Sequence, residues 1–480
     1  MKPSIIKGYS PEKLFYFFEE ITKIPRGSGN EEAIALWLEN FAKERGLFCI
    51  RDSVNNVFIR LDASKGYENE PSVLLQGHTD MVCEKNSDVD FDFTKDPIDI
   101  YVDGEGFLRA KGTTLGADNG VAVAIMLSVL DGECPEHPEI ECLFTVEEET
   151  GLDGAKAFDY SVVKARKMIN LDSENDREVV VGCAGGNFHK VDLPIDLCDF
   201  CGEAVKISIG GLMGGHSGAN INSGRANANK LLGRALLQIN SASPIALVSI
   251  EGGSKDNAIP REANAIVAVS SMADFEAAFS KIAAEIKNEL SQEDSAFFMK
   301  WEKQSSPVKM ATKESSERIF AFISSVQNGV IAMSTNIDGL VEFSRNLGII
   351  STDGNSVSFV FSARSAIESQ LDFAGTEIEN LARVFGGSAV QMGRYPGWEY
   401  AKISPIREKF LKVCREINGC EPNVTVIHAG LECGIIKSKI NDMDIISIGP
   451  DMRDIHSPDE ALDLASFAKT WKILCAMLKK

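Results

Sequence analysis

The sequence lacks any long apolar run. Its longest apolar stretches, such as residues 121–130, fall well short of the ~20 residues that a membrane-spanning helix needs. Residues 1–20 lack a basic segment followed by an apolar one, so no secretory leader is expected. Positive charge is also scarce. Against 70 Asp and Glu stand 49 Lys and Arg, a formal net charge of -21. Phosphate recognition needs a basic footprint, so this deficit argues against nucleic acid as the main partner and against an anionic membrane surface. Paired cysteines are missing as well. The 11 cysteines are odd in number and scattered, and only Cys198 and Cys201 form a C-x-x-C. With no second pair nearby, these two read as incidental thiols rather than a zinc or redox site. Reduced thiols and the absent leader together give a cytoplasmic expectation. Low-complexity tracts and solenoid periods are absent too.

What remains is ordinary globular material. Hydrophobic residues at 44% and charged residues at 25% supply a core and a solvated surface. A length of 480 residues is about three times the ~150-residue norm for one domain, so two or more domains are expected. Ser10 followed by Pro11 reads as an N-cap with proline in the first turn of a helix ending near residue 21. Asn30 reads as the cap of a second helix, which Gly46 ends. Residues 56–61, 72–76, 140–146 and 167–171 are short apolar runs of strand type, and residues 118–130 have helical length. This alternation predicts a mostly parallel sheet covered on both faces.

Around residues 182–186 the texture changes. Amphipathic helices at 225–239, 275–290 and 368–384 lie among strands such as 204–209 and 356–363, an α+β pattern. The texture occurs in both halves of this region, which suggests a duplicated unit with the polar residues 291–316 as the loop between halves. After Tyr395-Pro396-Gly397-Trp398 the α/β pattern returns, with a helix at 405–417, strands at 423–427 and 444–448, and a closing helix at 459–478. The simplest organisation is a discontinuous α/β domain carrying an inserted α+β domain.

Several acids and two histidines stand at the ends of these elements. His78 and Asp80 follow an apolar strand, and C-terminal strand ends line the ligand crevice of open α/β sheets. A carboxylate beside an imidazole can orient a ligating ring; a structural His–Asp pair gives the same pattern. Asp118, between Gly116 and Gly120, fits a helix cap and equally a carboxylate bridging two cations. Glu147-Glu148-Glu149 ends a strand with apolar neighbours. On a surface such a run is a solvated loop, but clustered carboxylates at a strand end repel unless a cation is near. Spacing does not say which glutamate holds metal and which moves protons. Asp172 and Glu174 stand at another strand end. His456 precedes a capping segment, with Ser457 as N-cap and Pro458 in the first turn of the last helix. All of these fall in the discontinuous α/β part. A His–Asp–Glu–Asp–His set of nitrogen and oxygen donors suits two zinc-like divalent ions rather than a thiolate structural site.

In this order the motifs H-x-D, G-A-D-N, E-E-E-x-G, D-S-E and a late H-S-P-D-E resemble the co-catalytic zinc superfamily of aminoacylases, carboxypeptidases and dipeptidases. Residues 212–218 (LMGGHSG), 257–263 (NAIPREA), 395–398 (YPGW) and 428–434 (HAGLECG) resemble, more narrowly, its aminoacyl-histidine (Xaa-His) dipeptidase family. The likeness runs from about residue 10 to the C-terminus. It implies an α/β fold with a mixed-sheet zinc-peptidase catalytic domain, residues 1–186 and 394–480, and an inserted α+β lid/dimerisation domain, residues 187–393. It implies two divalent cations, zinc first, with manganese or cobalt as alternatives. His78, Asp118 and Asp172 would hold one, and Asp118, Glu149 and His456 the other, with Asp118 bridging.

By the same resemblance Asp80 would orient His78, and Glu148 would be the general base. His216 would serve the scissile oxygen, Arg364 the C-terminal carboxylate of the substrate, and Asn257 and Gly430 would be substrate contacts. A cis peptide between Asp118 and Asn119 is implied as well. The implied activity is metal-dependent hydrolysis of dipeptides, Xaa-His and broader, including carnosine-like ones, by a cytoplasmic homodimer. A deacylase or a tripeptidase would share the metal core, and a metal-binding protein without turnover would also keep it. Residues 449–455 are more charged than the resemblance implies, which bears on the side chain preferred in the substrate.

Overall fold

The structure is a computed structural model that describes residues 5–305 and 307–480; residues 1–4 and Ser306, on which parts of the leader and 291–316 readings fall, lie outside the described residues. The chain divides into two compact units. One runs to Gly182 and takes in Trp398–Val426 and Leu431–Lys480; the other comprises Cys183–Gly397 and Ile427–Gly430.

The first unit is built on an eight-stranded sheet. Its spatial order is Phe48–Arg51, Val57–Leu61, Ile140–Thr145, Val73–His78, Lys167–Asn170, Asp444–Ser447, Glu178–Cys183 and Asn423–Ile427. The four strands from Ile140–Thr145 to Asp444–Ser447 run parallel. Antiparallel pairs flank them, so the sheet is mixed and the expected parallel character is confined to its centre. Every residue of Val73–His78 and Ile140–Thr145 is buried, as strands covered on both faces must be. Helix Ala117–Leu130 is apolar all round and buried along nearly its whole length. Helix Glu12–Ile21 packs on it, turning Leu14, Phe15, Phe18 and Ile21 inward. Four parallel strands place four C-terminal ends on one edge of the sheet, where His78, the glutamate run and Asp172 emerge.

Helix ends depart from the sequence reading. Pro11 and Glu31, not Ser10 and Asn30, hold the N-cap positions of the first two helices, and neither side chain makes a capping bond. The closing helix is Leu464–Leu478, capped by Asp463 rather than Ser457. Residues 461–463 are taken up as a strand against Phe107–Ala110, which delays the helix start.

The second unit contains the suspected duplication. Strands Glu203–Gly210, Ile245–Gly252, Ala263–Val269 and Phe298–Lys303, with helices Ala228–Ala242 and Met272–Glu289, follow a βαββαβ path. Strands Gly185–Pro194, Val341–Asp353, Ser356–Ser365 and Ser388–Tyr395, with helices Lys313–Ser325 and Glu368–Val384, follow it again. In both halves the spatial order is fourth, first, third, second strand. The two second strands meet edge to edge through Glu251–Ser351 and Gly252–Ile350, which joins the halves into one nine-stranded sheet. One half is inserted between the first strand and first helix of the other. Part of 291–316 is therefore strand, not loop: Phe298–Lys303 pairs with Glu203–Gly210 at the sheet edge. The halves share one apolar core that includes Val205, Phe275, Phe320 and Phe359.

Two buried side chains hold the turn that carries Asp118. Glu460 accepts from the backbone N–H groups of Leu115, Gly116, Ala117 and Asp118 at 2.7, 3.0, 2.8 and 3.3 Å. Arg26 donates to the carbonyls of Thr79, Asp80 and Gly116, tying that turn to the segment after His78. Gly116 has φ +70° and a Cβ there would stand 2.5 Å from the Arg26 guanidinium, so only glycine fits. The Asp118–Asn119 peptide is cis, as the resemblance implied. Replacing Glu460 leaves four N–H groups without their acceptor. Glu460→Ala is expected to lower unfolding stability by about 3 kcal/mol, with Glu460→Gln losing less; denaturant midpoints check it, and equal midpoints for Ala and wild type would refute it.

Candidate functional site

The first unit gathers His78, Asp80, Asp118, Glu148, Glu149, Asp172 and His456 on the C-terminal edge of the parallel strands. His78 Nε2 lies 3.1 Å from Asp118 Oδ1 and 3.4 Å from Asp172 Oδ1. His456 Nε2 lies 3.1 Å from the other Asp118 oxygen and 3.0 Å from Glu149 Oε1. The two oxygens of Asp118 thus face different imidazoles. On the far side of the His78 ring, Nδ1 meets Asp80, at 3.3 Å from Oδ1 and 3.1 Å from the backbone carbonyl. Both partners accept, so Nδ1 carries a proton, and the acids facing Nε2 call for a second proton or a cation there.

Asp80 does more than face His78. Its carboxylate also accepts from the N–H groups of Glu148 and Glu149 and from the Ser28 hydroxyl. One buried side chain therefore fixes the imidazole and the start of the short helix Glu148–Gly151 together. Backbone strain gathers here: Glu147, Asp454 and His456 have φ of 50°, 50° and 61°. Non-glycine residues in that region cost of order 1 kcal/mol each and persist where surrounding structure holds them.

Below the ligating side chains runs a buried polar belt. Gln76 donates to Thr145 at 3.1 Å and to Glu432 at 2.5 Å, and Thr145 donates to the same Glu432 oxygen at 2.7 Å. Asn170 donates to Gln76 at 2.7 Å, Ser447 donates to Asn170 at 2.5 Å, and Ser447 pairs with Ser173 at 2.9 Å. Thr145, Gln76, Asn170 and Ser447 sit on four neighbouring strands, two to four residues ahead of the site acids and His78 where those strands carry them.

The electrostatics are those of surplus negative charge. Burial works to lower the pKa of His78, but Asp172, Asp118 and Asp80 outweigh it and hold it well above the ordinary value. The Asp118 carboxylate, hydrogen-bonded to His456, and the Glu149 carboxylate beside it push His456 up to about 10. Burial raises Asp172 to about 6, and it raises Glu148 well above the carboxylate range against the pull of His78. Glu149 Oε1 is buried and takes no hydrogen bond, although His456 Nε2 stands near it. His78, Asp118 and Glu149 can present one ligand atom each within 4.8 Å of one another. Nitrogen and oxygen donors, a fixed tautomer and an orphaned carboxylate oxygen fit a divalent cation.

The second unit gathers the other four residues singled out from the sequence. Gly215-His216 pairs with Ala258–Ile259, and the Ser217 N–H donates to the Asn257 carbonyl at 2.8 Å. His216 Nδ1 accepts from the N–H groups of Gly218 and Ala219, which leaves the ring proton on Nε2 as a donor. Arg364 donates through Nε to Ser217 Oγ at 3.4 Å and through Nη1 to the Tyr395 hydroxyl at 2.7 Å. Gly430 lies against the Tyr395 ring, where its Cβ would come within 2.8 Å.

Arg364 differs from the other buried arginines. Arg26 and Arg407 donate to backbone carbonyls, and Arg345 pairs with Glu377 at 2.7 Å. Arg364 is 4% exposed and has only hydroxyl partners; no carboxylate pairs with it among the described residues.

The sequence reading missed His428, Tyr395, Glu432, Glu460 and Arg26. His428 bonds Ser344 at 2.7 Å, and burial, with Arg364 and His216, lowers its pKa to about 3, so its ring is neutral. His428 and Glu432 lie in the HAGLECG segment and Tyr395 in YPGW, so the motifs marked their neighbourhood. Nothing local marks Arg26. The charges of 449–455 have structural partners: Asp451 accepts from the Asp176 N–H at 2.8 Å, and Arg453 stacks over Phe107 at 4.3 Å.

Comparison with known proteins places this geometry in a family. The chain is 38% identical over 483 residues, 99% of each sequence, to the cytosol non-specific dipeptidase of Escherichia coli K12. It superposes on the crystal structure of an aminoacylhistidine dipeptidase from Vibrio alginolyticus with a TM-score of 0.91 and 38% identity, covering 98% of this chain and 97% of that one. An aminopeptidase from Bacillus cereus, 18% identical with a TM-score of 0.56 over 97% of both chains, shares the fold. The family model for peptidase family M20/M25/M40 matches residues 74–480. With a cluster able to hold metal at the edge of its parallel strands, the chain belongs to peptidase family M20/M25/M40, a family of metal-dependent hydrolases.

Proposed function

We propose that the protein is a cytoplasmic dipeptidase that hydrolyses Xaa-His and other dipeptides, including carnosine-like ones, and works as a homodimer. The observation that carries this reading is the convergence of two imidazoles and three carboxylates beside Glu148, in a chain alike over its whole length to two dipeptidases. His78, Asp118 and Asp172 would hold one divalent cation, and Asp118, Glu149 and His456 a second, zinc being the ion best suited to this donor mix. Such cations activate water and polarise a carbonyl.

The remaining work falls to the chain's own side chains. Glu148, held in place through its backbone by Asp80 and raised in pKa by burial, takes the proton from the attacking water and passes it to the leaving amine. His216 donates from Nε2 to the carbonyl oxygen as negative charge develops there. Arg364, a buried cation without a carboxylate partner among the described residues, binds the substrate's C-terminal carboxylate, which measures substrate length and favours dipeptides. Asn257 and Gly430 are further substrate contacts in the second unit, and the first unit carries Glu148 and the metal ligands. The E. coli relative is cytosolic by name, which supports the location. Metal analysis combined with a panel of Xaa-His dipeptides, a tripeptide and an N-acetyl amino acid tests the reading. Turnover confined to the tripeptide or the acyl amino acid would replace it.

Two substitutions separate the roles. Glu148→Ala is expected to keep metal content and fold while activity falls roughly 10²- to 10⁴-fold, the usual worth of a general base. A wild-type rate would remove Glu148 from the mechanism, and loss of metal would exchange its role with that of Glu149. Arg364→Ala is expected to raise KM for dipeptides about ten- to a hundredfold, because a charge-assisted contact is lost. The same substitution should affect a C-terminally amidated analogue much less. Equal losses on both substrates would show that Arg364 does not read the carboxylate.

A further inference from the structure

Tyr395 has no part in the mechanism above, yet its surroundings are built around it. Arg364, Gly186 and Tyr395 form one row across three neighbouring strands. Gly186 stands opposite Arg364 on one side and opposite Tyr395 on the other. Residues in such a row share a face of the sheet, and the outer two are two strand spacings apart, about 9–10 Å at the backbone. A phenol ring can cross that gap only if nothing projects from the middle strand. Glycine at 186 provides the space: a Cβ there would lie 2.5 Å from Tyr395 Cε1 and 2.8 Å from its hydroxyl oxygen. Gly430 clears the ring from another side, where a Cβ would stand 2.8 Å from Cε2.

The ring is thus laid over one glycine and against another, and its hydroxyl ends 2.7 Å from Arg364 Nη1. This is the short contact of the two that hold the guanidinium; Ser217 Oγ is 3.4 Å from Nε. The hydroxyl accepts from the arginine and has its own proton left to donate. Burial raises the pKa of Tyr395 against the pull of Arg364, so the phenol keeps that proton.

We propose that Tyr395 is a specificity-determining residue that holds the Arg364 fork toward the substrate's carboxylate and donates its own O–H to the same group. The proposal rests on the reading of Arg364 given above and deepens it. It also gives Gly430 a different task from substrate contact, that of making room for the phenol.

Steady-state kinetics on a Xaa-His dipeptide and its C-terminal amide, with wild type, Tyr395→Phe and Arg364→Ala, test it. Tyr395→Phe keeps the ring and removes only the oxygen. The expected result is a rise in KM of about tenfold for the free acid, little change for the amide, and kcat near wild type with normal metal content. Gly430→Ala, which pushes on the ring, is expected to shift KM in the same direction. If Arg364→Ala abolishes the preference for the free acid while Tyr395→Phe retains it, the Tyr395 proposal is overturned and the Arg364 reading stands. If Arg364→Ala leaves the preference intact, both are overturned. A fall in kcat of equal size on both substrates in Tyr395→Phe would mark a purely structural role and also overturn the proposal.

Discussion

Three carboxylates and two imidazoles in mutual contact are stable together only if positive charge joins them. Asp118, Glu149 and Asp172 each stand about one hydrogen-bond length from an imidazole, and their ion pairs are with His78 and His456 rather than with lysine or arginine. Protons on the imidazoles supply part of the balance, which is why His78 and His456 are raised rather than lowered. Crowding of this kind opposes folding, so the surrounding chain has to hold it. Asp80, Glu460 and Arg26 do so by occupying backbone N–H and carbonyl groups around the site, leaving the site acids to face one another.

The second unit inverts that arrangement. There the exceptional charge is the Arg364 guanidinium, buried without a carboxylate partner among the described residues and held by hydroxyls. His216 and His428 both have lowered pKa values, burial leading in each case. One unit accumulates acid and the other isolates a cation.

Much of this was legible in the sequence, for a physical reason. Imidazoles and carboxylates at the ends of apolar elements are conspicuous, so His78, Asp118, the run Glu147-Glu148-Glu149, Asp172 and His456 stand out by residue type, while the choice of Glu149 within the run came only from the resemblance. Asn257, His216 and Gly430 stood out only through the motifs around them, and Arg364 only through the resemblance as a whole. Glu460 was invisible as an acceptor because its partners lie some 345 residues earlier in the chain. Ser457-Pro458 carries a local cap signature, but the strand pairing of Ala461–Asp463 overrides it and Asp463 caps the helix instead. Phe298–Lys303 has only Phe298, Met299 and Trp301 as apolar residues, a weak strand signal that edge pairing converts into structure. The duplication is plain in strand order and faint in residue identity, since topology constrains where strands lie more than which side chains they carry.

The polar belt of Thr145, Gln76, Asn170 and Ser447 has a consequence for how the chain finds its fold. Strands buried on both faces have no alternation of apolar and polar residues to set their alignment, so a slip of one residue would exchange one hydrocarbon surface for another at little cost. Amides and hydroxyls change that. A mis-threaded strand would bury Gln76 or Asn170 without a partner, and an unsatisfied buried polar group costs about 1–3 kcal/mol. The belt therefore acts as a proofreader of strand register, rejecting sheets in which the four strand ends are out of step.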